Sequence, residues 1–187
     1  PMGPAYLLDV VGIDTAHHVG DVLAEGYPDR MVAPGKSSLD VMYEAERYGQ
    51  KNDRGYYNYV LDKKGKQKKT HDPEVAGMLS EIQVGEAQEI SDEAIIDRMM
   101  IPMVIETARC LEEGIVDTAN EADMALILGI GFPLFRGGAL KIADRIGLAN
   151  LCEKAQGYAH LGKLYEPTET MTKMASENAT YYPTVKE

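Results

Sequence analysis

A chain of 187 residues can bury one large or two small cores. Its formal net charge of −11 works against nucleic acid and anionic membrane surfaces, which need a basic face, and its longest run free of charged or polar side chains, Met124 to Phe135, is shorter than the ~20 residues that cross a bilayer. Cys110 and Cys152 are the only cysteines and form no C-x-x-C pair, and no charged-then-apolar leader opens the chain, so a reduced cytoplasmic protein is expected.

Taken in order, Pro4 suits the first turn of a helix whose apolar face carries Tyr6, Leu7, Val10 and Val11, and Gly12 ends it. Asp14 or Thr15 is expected to cap a second helix through about Glu25. His17 and His18 lie on it about 100° apart, too divergent to grip one metal ion, so partial burial with a backbone hydrogen bond is expected. A Pro- and Gly-rich loop follows to Lys36. Ser37 or Ser38 then caps a helix through Tyr48, and after the Gly49–Gly55 break, Tyr56 to Leu61 reads as a strand with Lys66 to Thr70 as its hairpin partner. Lys63, Lys64, Lys66, Lys68 and Lys69 crowd that turn; such a run attracts the phosphates of a ligand like coenzyme A or simply stays solvated.

Asp72-Pro73 opens a helix to about Ile82. The polar stretch from Val84 to Ile90 makes the best internal boundary, dividing the chain into 1–83, a linker 84–91, and 92–187. Ser91 caps the longest helix, with Ile96, Met99, Met100, Met103 and Leu111 as its expected buried stripe and a bend at Pro102. Gly114 stops it, and Thr118-Ala119-Asn120-Glu121 is a capping box.

From Leu126 to Gly147 the chain reads L-I-L-G-I-G-F-P-L-F-R-G-G-A-L-K-I-A-D-R-I-G. Gly129 and Gly131 are expected to end one helix and Pro133 to bar its continuation. Gly-x-Gly here is no dinucleotide loop, because a helix rather than a strand leads into it and no third glycine has the right spacing. Leu148 to Leu161 makes a further helix, Thr168 caps a last one ending near Ser176, and Tyr181-Tyr182-Pro183 is expected as an extended surface tail.

The punctuation recurs. Gly3, Asp9 and Gly12 have the spacing of Gly138, Asp144 and Gly147, a repeat offset of 135 positions (9 and 144) that suits a duplicated domain. The second copy has a long helix and a shorter one before the matching point and the first has neither, so the first copy reads as truncated and the chain as a piece of a longer protein.

P-M-G-P-A-Y-L-L-D-V-V-G-I-D-T at the start, and R-Y-G-Q-K-N-D-R-G-Y-Y-N-Y with its G-x-K-x-x-x-G-[FY]-Y pattern from Gly49 to Tyr57, resemble the C-terminal helical domain of 3-hydroxyacyl-CoA dehydrogenases. E-E-G-I-V-D-T-A-N-E-A-D-M-A-L-I-L-G-I-G-F-P-L-F-R-G-G is similar to the duplicated terminal domain in the alpha subunits of fatty-acid oxidation complexes. The resemblance implies an all-α, 6-phosphogluconate-dehydrogenase-C-terminal-like fold with one small β-hairpin. It also implies NAD as cofactor of the intact enzyme, bound outside these residues, fatty acyl-CoA as substrate, a thiolase beta subunit as partner, and copies that pack on one another or self-associate. Substrate-cleft candidates are Leu128, Gly129, Gly131, Phe132 and Pro133. No catalytic, cofactor-binding or metal-ligating set is found: the four histidines are scattered, and the family's catalytic His–Glu pair belongs to a Rossmann domain with no counterpart in these residues. Where the family's long helix begins with a V-N-R-x-x-x-P-like pattern, its asparagine facing substrate, this sequence has Asp97 in Ile96-Asp97-Arg98-Met99-Met100-Ile101-Pro102. The other reading is a freestanding helical interaction module of the same fold.

Overall fold

A computed structural model describes residues 2–86 and 89–183. It is largely helical with a single two-stranded sheet among the described residues, and it divides into two compact units, Pro1–Gln88 and Glu89–Glu187. The expected linker 84–91 falls partly outside the described residues.

The first unit opens with α1 (Pro4–Val11), where Pro4 sits at the helix start and Gly12 closes the end. Helix α2 (Ile13–Gly26) follows with no side-chain cap. Neither Asp14 nor Thr15 serves as the expected cap, because Gly12 at φ 104° bends the chain so sharply that Ile13 is already helical. Helix α3 (Ser38–Glu44) begins with a full capping box, Ser37 and Asp40 exchanging bonds. It ends earlier than expected: Glu46 is left-handed at φ 53°, and Arg47 then turns inward to Asp72. Strand β1 (Asn58–Leu61) pairs antiparallel with β2 (Gln67–Thr70), Asn58 opposite Thr70 and Leu61 opposite Gln67. Helix α4 (Glu74–Ser80) completes the unit. The small core is Ile13, Val41, Met42 and Val75. His17 meets carboxylates instead of a backbone group, Asp40 at 3.1 Å and Asp21 at 3.4 Å, and stacks on Tyr43.

The second unit is built on α5 (Asp92–Glu112), capped by Ser91 and running through Pro102. Its core face matches the predicted stripe only in part, with Leu111 packed against the core and Met100 and Met103 half-buried. Ile101, Val104, Ile105 and Ala108 are buried, whereas Ile96 is 59% and Met99 66% exposed. Helix α5 carries two apolar stripes, and the 101–104–105–108 stripe, with Leu111 beside it, meets the core shared with the helices that follow. Helix α6 (Ala119–Ile130) starts with the expected Thr118–Glu121 box and ends at Gly131 in left-handed conformation, which leaves Gly129 inside the helix. After a 3₁₀ turn at Leu134–Arg136 come α7 (Ala139–Ile146), α8 (Leu148–Gly157), two short 3₁₀ turns, and α9 (Glu169–Ser176), capped by Thr168. Helices α5 and α6 both pack on α7.

Candidate functional site

Each unit is organised by a carboxylate at a matched place. Asp9 on α1 is 1% exposed. One of its oxygens accepts from Tyr56 N–H at 2.8 Å, the other from Tyr57 N–H at 3.0 Å and Tyr59 O–H at 2.8 Å. Asp144 on α7 accepts from Tyr181 N–H at 2.9 Å and Tyr182 N–H at 3.0 Å. Gly12 and Gly147, three residues on, share one backbone shape, φ 104°/ψ 120° and φ 87°/ψ 127°, in a region open almost only to glycine. The pair Tyr181-Tyr182 is therefore not a surface tail. It is the second unit's counterpart of Tyr56-Tyr57, and both rings pack against the core of that unit. Even the ring contacts correspond. Tyr6 meets the Tyr57 ring edge-on in the first unit, and Lys141, at the place matching Tyr6, sits over the Tyr182 ring in the second.

The Gly49–Tyr57 segment, which carried the resemblance, is spent on this clamp. A Cβ on Gly49 would run into the backbone carbonyl of Asp9, and one on Gly55 into its carboxylate. Lys51 pairs with Asp14. Buried beside it, Arg47 donates to the Gly55 carbonyl at 2.8 Å and to Asp72 at 2.5 Å. Burial alone would raise the Asp72 carboxyl, but the Glu74 N–H and Arg47 outweigh it and hold the group below the usual carboxylate range.

The second unit has one more carboxylate, which the sequence reading missed. Asp123 on α6 is 1% exposed and accepts from Leu140 N–H at 2.8 Å, Lys141 N–H at 3.0 Å and Tyr182 O–H at 2.7 Å. It caps α7 from outside the helix, satisfying donors that have no partner within it. Gly138 makes the approach possible, since any Cβ there would strike the Asp123 side chain. The signal that could have exposed this arrangement is the recurring Tyr-Tyr pair at 56–57 and 181–182. Its offset is 125 positions against 135 for the aspartates, so a search at one fixed offset passes over it.

The cleft candidates lie around the end of α6. Leu128 is 79% exposed, Phe132 is buried, Gly129, Gly131 and Pro133 are exposed, and neighbouring Ile130, Leu134 and Phe135 stand out at 64, 73 and 82%. This is an apolar surface without a polar constellation. A dinucleotide does not fit it: Gly129 and Gly131 sit at the carbonyl end of a helix, whose dipole opposes the phosphate that a helix N-terminus would attract. Asp97 is held by Lys154, which donates to it at 2.8 Å and to Glu93 at 2.9 Å. Bonds to Asp97 and then Glu93 push the Lys154 ammonium pKa up. A groove of the second unit, about 680 Å³, is lined by Cys152, Glu153, Gln156, Lys163, Glu166 and Thr172 among others. Burial pushes the Cys152 thiol up, away from a reactive thiolate. Among the described residues no group of histidine, cysteine and carboxylate side chains is placed to hold a metal ion, and no helix is long and apolar enough to cross a membrane.

Comparison with known proteins gives these positions a context. The family described as 3-hydroxyacyl-CoA dehydrogenase, C-terminal domain, matches residues 1–59 and 95–186, two segments that each contain one aspartate and its Tyr-Tyr partner. The fatty acid oxidation complex subunit alpha of Pseudomonas savastanoi pv. phaseolicola is 58% identical over 97% of this chain, and that of Pseudomonas aeruginosa 57% identical over the same share. Both alignments cover 25% of the relative, so the chain spans about a quarter of the length of the curated relatives it matches. Among solved structures, the dehydrogenase part of multifunctional enzyme 1 from C. elegans superposes with TM-score 0.60 at 25% identity, over 92% of this chain and 38% of that one. The fold is shared with 3-hydroxybutyryl-CoA dehydrogenase from Escherichia coli, TM-score 0.67 at 16% identity, over 95% of this chain and 52% of that one.

Proposed function

The chain belongs to the 3-hydroxyacyl-CoA dehydrogenase C-terminal domain family, and from that premise we propose that it is the helical C-terminal part of a multifunctional fatty-acid β-oxidation enzyme. In this reading it completes the acyl-CoA cleft of an NAD-dependent 3-hydroxyacyl-CoA dehydrogenase that also carries enoyl-CoA hydratase activity. NAD and the catalytic His–Glu pair belong to other parts of that protein, which works in the cytoplasm beside a thiolase beta subunit. The observation that carries the reading is 58% identity to a fatty acid oxidation complex alpha subunit across 97% of the chain.

The two units are two copies of one domain, the first within 1–83 and the second within 92–187, joined by 84–91. The matched Asp9 and Asp144 clamps support this division. The exposed apolar turn of Leu128, Gly129, Gly131 and Pro133, anchored by buried Phe132, is the surface offered to the acyl-CoA cleft. Asp97 is not catalytic. An ionised carboxylate only accepts hydrogen bonds, and this one is already occupied by Lys154.

The test is NADH formation from a 3-hydroxyacyl-CoA by the full-length protein, by residues 1–187 alone, and by full-length Leu128→Glu. The full-length protein is expected to be active and residues 1–187 inactive, with Leu128→Glu raising KM about fivefold, or about 1 kcal/mol. An inactive full-length protein, or an active 1–187, overturns the assignment. An unchanged KM in Leu128→Glu removes that turn from the cleft and leaves the enzyme class standing.

A further inference from the structure

Apart from Lys69, the lysine run at the hairpin turn takes no part in either carboxylate clamp. Positions 62–69 hold five lysines and one aspartate, in a chain whose net charge is −11. The aspartate does not pair with them. Its carboxylate is folded back into the turn, where Asp62 accepts from Lys64 N–H at 2.7 Å and Lys66 N–H at 2.9 Å. Lys69 is taken up locally: its ammonium lies 4.2 Å from the centre of the Tyr6 ring and 4.7 Å from that of Tyr57, a cation–π contact that ties β2 to α1. Lys63, Lys64, Lys66 and Lys68 are exposed and form no ion pair among the described residues. Lys36, Lys51 and Lys154 each meet a carboxylate.

The backbone beneath these four lysines is held. The Gln67 side-chain amide donates to the Gln50 carbonyl at 3.0 Å and to Asp53 at 2.9 Å, and the Thr70 hydroxyl donates to the Asn58 carbonyl at 3.2 Å. Lys68 stands opposite Val60 in the ladder, and strand alternation puts both on the side away from buried Tyr59. Lys66, two residues earlier, shares that side at a rise of about 7 Å. The result is a strip of separated, exposed cations on a fixed backbone. Their mutual repulsion is relieved by a ligand that carries several negative charges at similar separations.

The strip also lies outside what the family shares. The family match covers 1–59 and 95–186, so it stops before the hairpin turn, and among the described residues only the first unit has a hairpin after its Tyr-Tyr turn. We propose that Lys63, Lys64, Lys66 and Lys68 form a docking strip for the phosphate groups of coenzyme A, the end of the substrate remote from the reacting acyl group. The inference rests on the function proposed above, which supplies acyl-CoA as substrate. Coenzyme A carries a pyrophosphate and a separate ribose phosphate, a divided anion that answers divided cations. Lysine holds phosphate as a point charge without fixing its orientation. That suffices where the acyl end is held elsewhere and the strip raises the local concentration of substrate. An anionic bilayer also offers phosphates, but it meets the whole chain with its charge of −11. A small ligand within a Debye length of about 8 Å feels chiefly the lysines.

Steady-state kinetics of the full-length protein tests this, with a 3-hydroxyacyl-CoA and with the same acyl group on pantetheine, which has no phosphate. Wild type is compared with the quadruple variant Lys63→Gln/Lys64→Gln/Lys66→Gln/Lys68→Gln and with Lys66→Glu/Lys68→Glu, circular dichroism showing that each is folded. In both variants the KM for the CoA thioester is expected to rise about five- to tenfold, and the KM for the pantetheine thioester to stay within about twofold of wild type. Salt should raise the wild-type KM for the CoA thioester only, with a flatter dependence in the quadruple variant. An unchanged KM for the CoA thioester overturns the strip, and so does an equal rise for both thioesters, which is the mark of a structural role. Cosedimentation of wild type with phosphatidylglycerol vesicles that the quadruple variant loses, at unchanged KM, assigns the lysines to a lipid surface and also overturns the proposal. A wild type active on both thioesters, with no effect of the lysines, removes this inference alone. A wild type inactive on both removes the functional reading and this inference with it.

Discussion

The two units solve one structural problem with different materials. In the first, Asp9 gathers two successive tyrosine N–H groups and a hydroxyl into one buried carboxylate, and a hairpin with an Arg47–Asp72 pair supports the arrangement from the side. In the second, the work is divided: Asp144 holds the tyrosine amides, Asp123 holds the tyrosine hydroxyl and the start of α7, and a 21-residue helix covers the result. What the two units share is therefore the geometry of a carboxylate facing a Tyr-Tyr turn. Stability rests on polar burial in the first unit and on apolar packing in the second, where the larger core lies.

The sharpest break in that comparison is removal of each carboxylate. Asp9→Ala strands three donors around a site that is 1% exposed, and a loss of about 3–5 kcal/mol is expected. Asp144→Ala opens a partly exposed site where water can replace the acceptor, and about 1–2 kcal/mol is expected. Chemical denaturation followed by circular dichroism measures both; equal losses would mean that the two clamps do not differ in the way described.

Ion pairs give the next contrast. Arg47 and Asp72 have side chains 7 and 5% exposed, Lys154 and Asp97 30 and 19%. Breaking the first pair with Arg47→Met leaves a buried charge and is expected to cost about 3 kcal/mol, much of it recovered in Arg47→Met/Asp72→Leu. Lys154→Met is expected to cost under about 1 kcal/mol. A double variant no more stable than the single would show that packing, rather than the unpaired charge, sets the cost.

Acid sharpens the same contrast less strongly. The Asp72 carboxyl is held below its ordinary value of 3.8, so its contribution to folding is fully present above that value and is lost as the pH falls through the lower, folded-state pKa. Below about pH 4 the wild-type chain should lose stability more steeply than Asp72→Asn, which has no such proton to take up. Parallel acid profiles would contradict the assignment.

Much of this was legible in the sequence, and the misses share a cause. Caps at Ser91, Thr118 and Thr168, and one at Ser37 or Ser38 that the structure places on Ser37, were readable because a capping side chain acts within four residues of its target, and the hairpin was readable from its strand pattern. Ile96 and Met99 on α5 were misread as buried because both of its stripes are apolar, and the choice between them is made by α7, far along the chain. Asp123 and Tyr182 escaped because their partners are 59 and 17 or more residues away, and because the repeat that predicts the contact shifts its offset by ten positions between α8 and the Tyr-Tyr turn. The cleft candidates came only from resemblance, and the structure adds only that their turn is largely exposed and apolar.

The central claim is that the second unit keeps the shape of a dehydrogenase helical domain but stands outside the chemistry. Asp97 decides it: the resemblance implies a substrate-facing asparagine at this position, and the aspartate found there is engaged by Lys154. In the full-length enzyme, kcat/KM for a 3-hydroxyacyl-CoA should stay within about twofold of wild type in Asp97→Asn, under about 0.4 kcal/mol of transition-state stabilisation. A tenfold change in either direction, about 1.4 kcal/mol, would place the second unit in contact with the reaction and contradict the account.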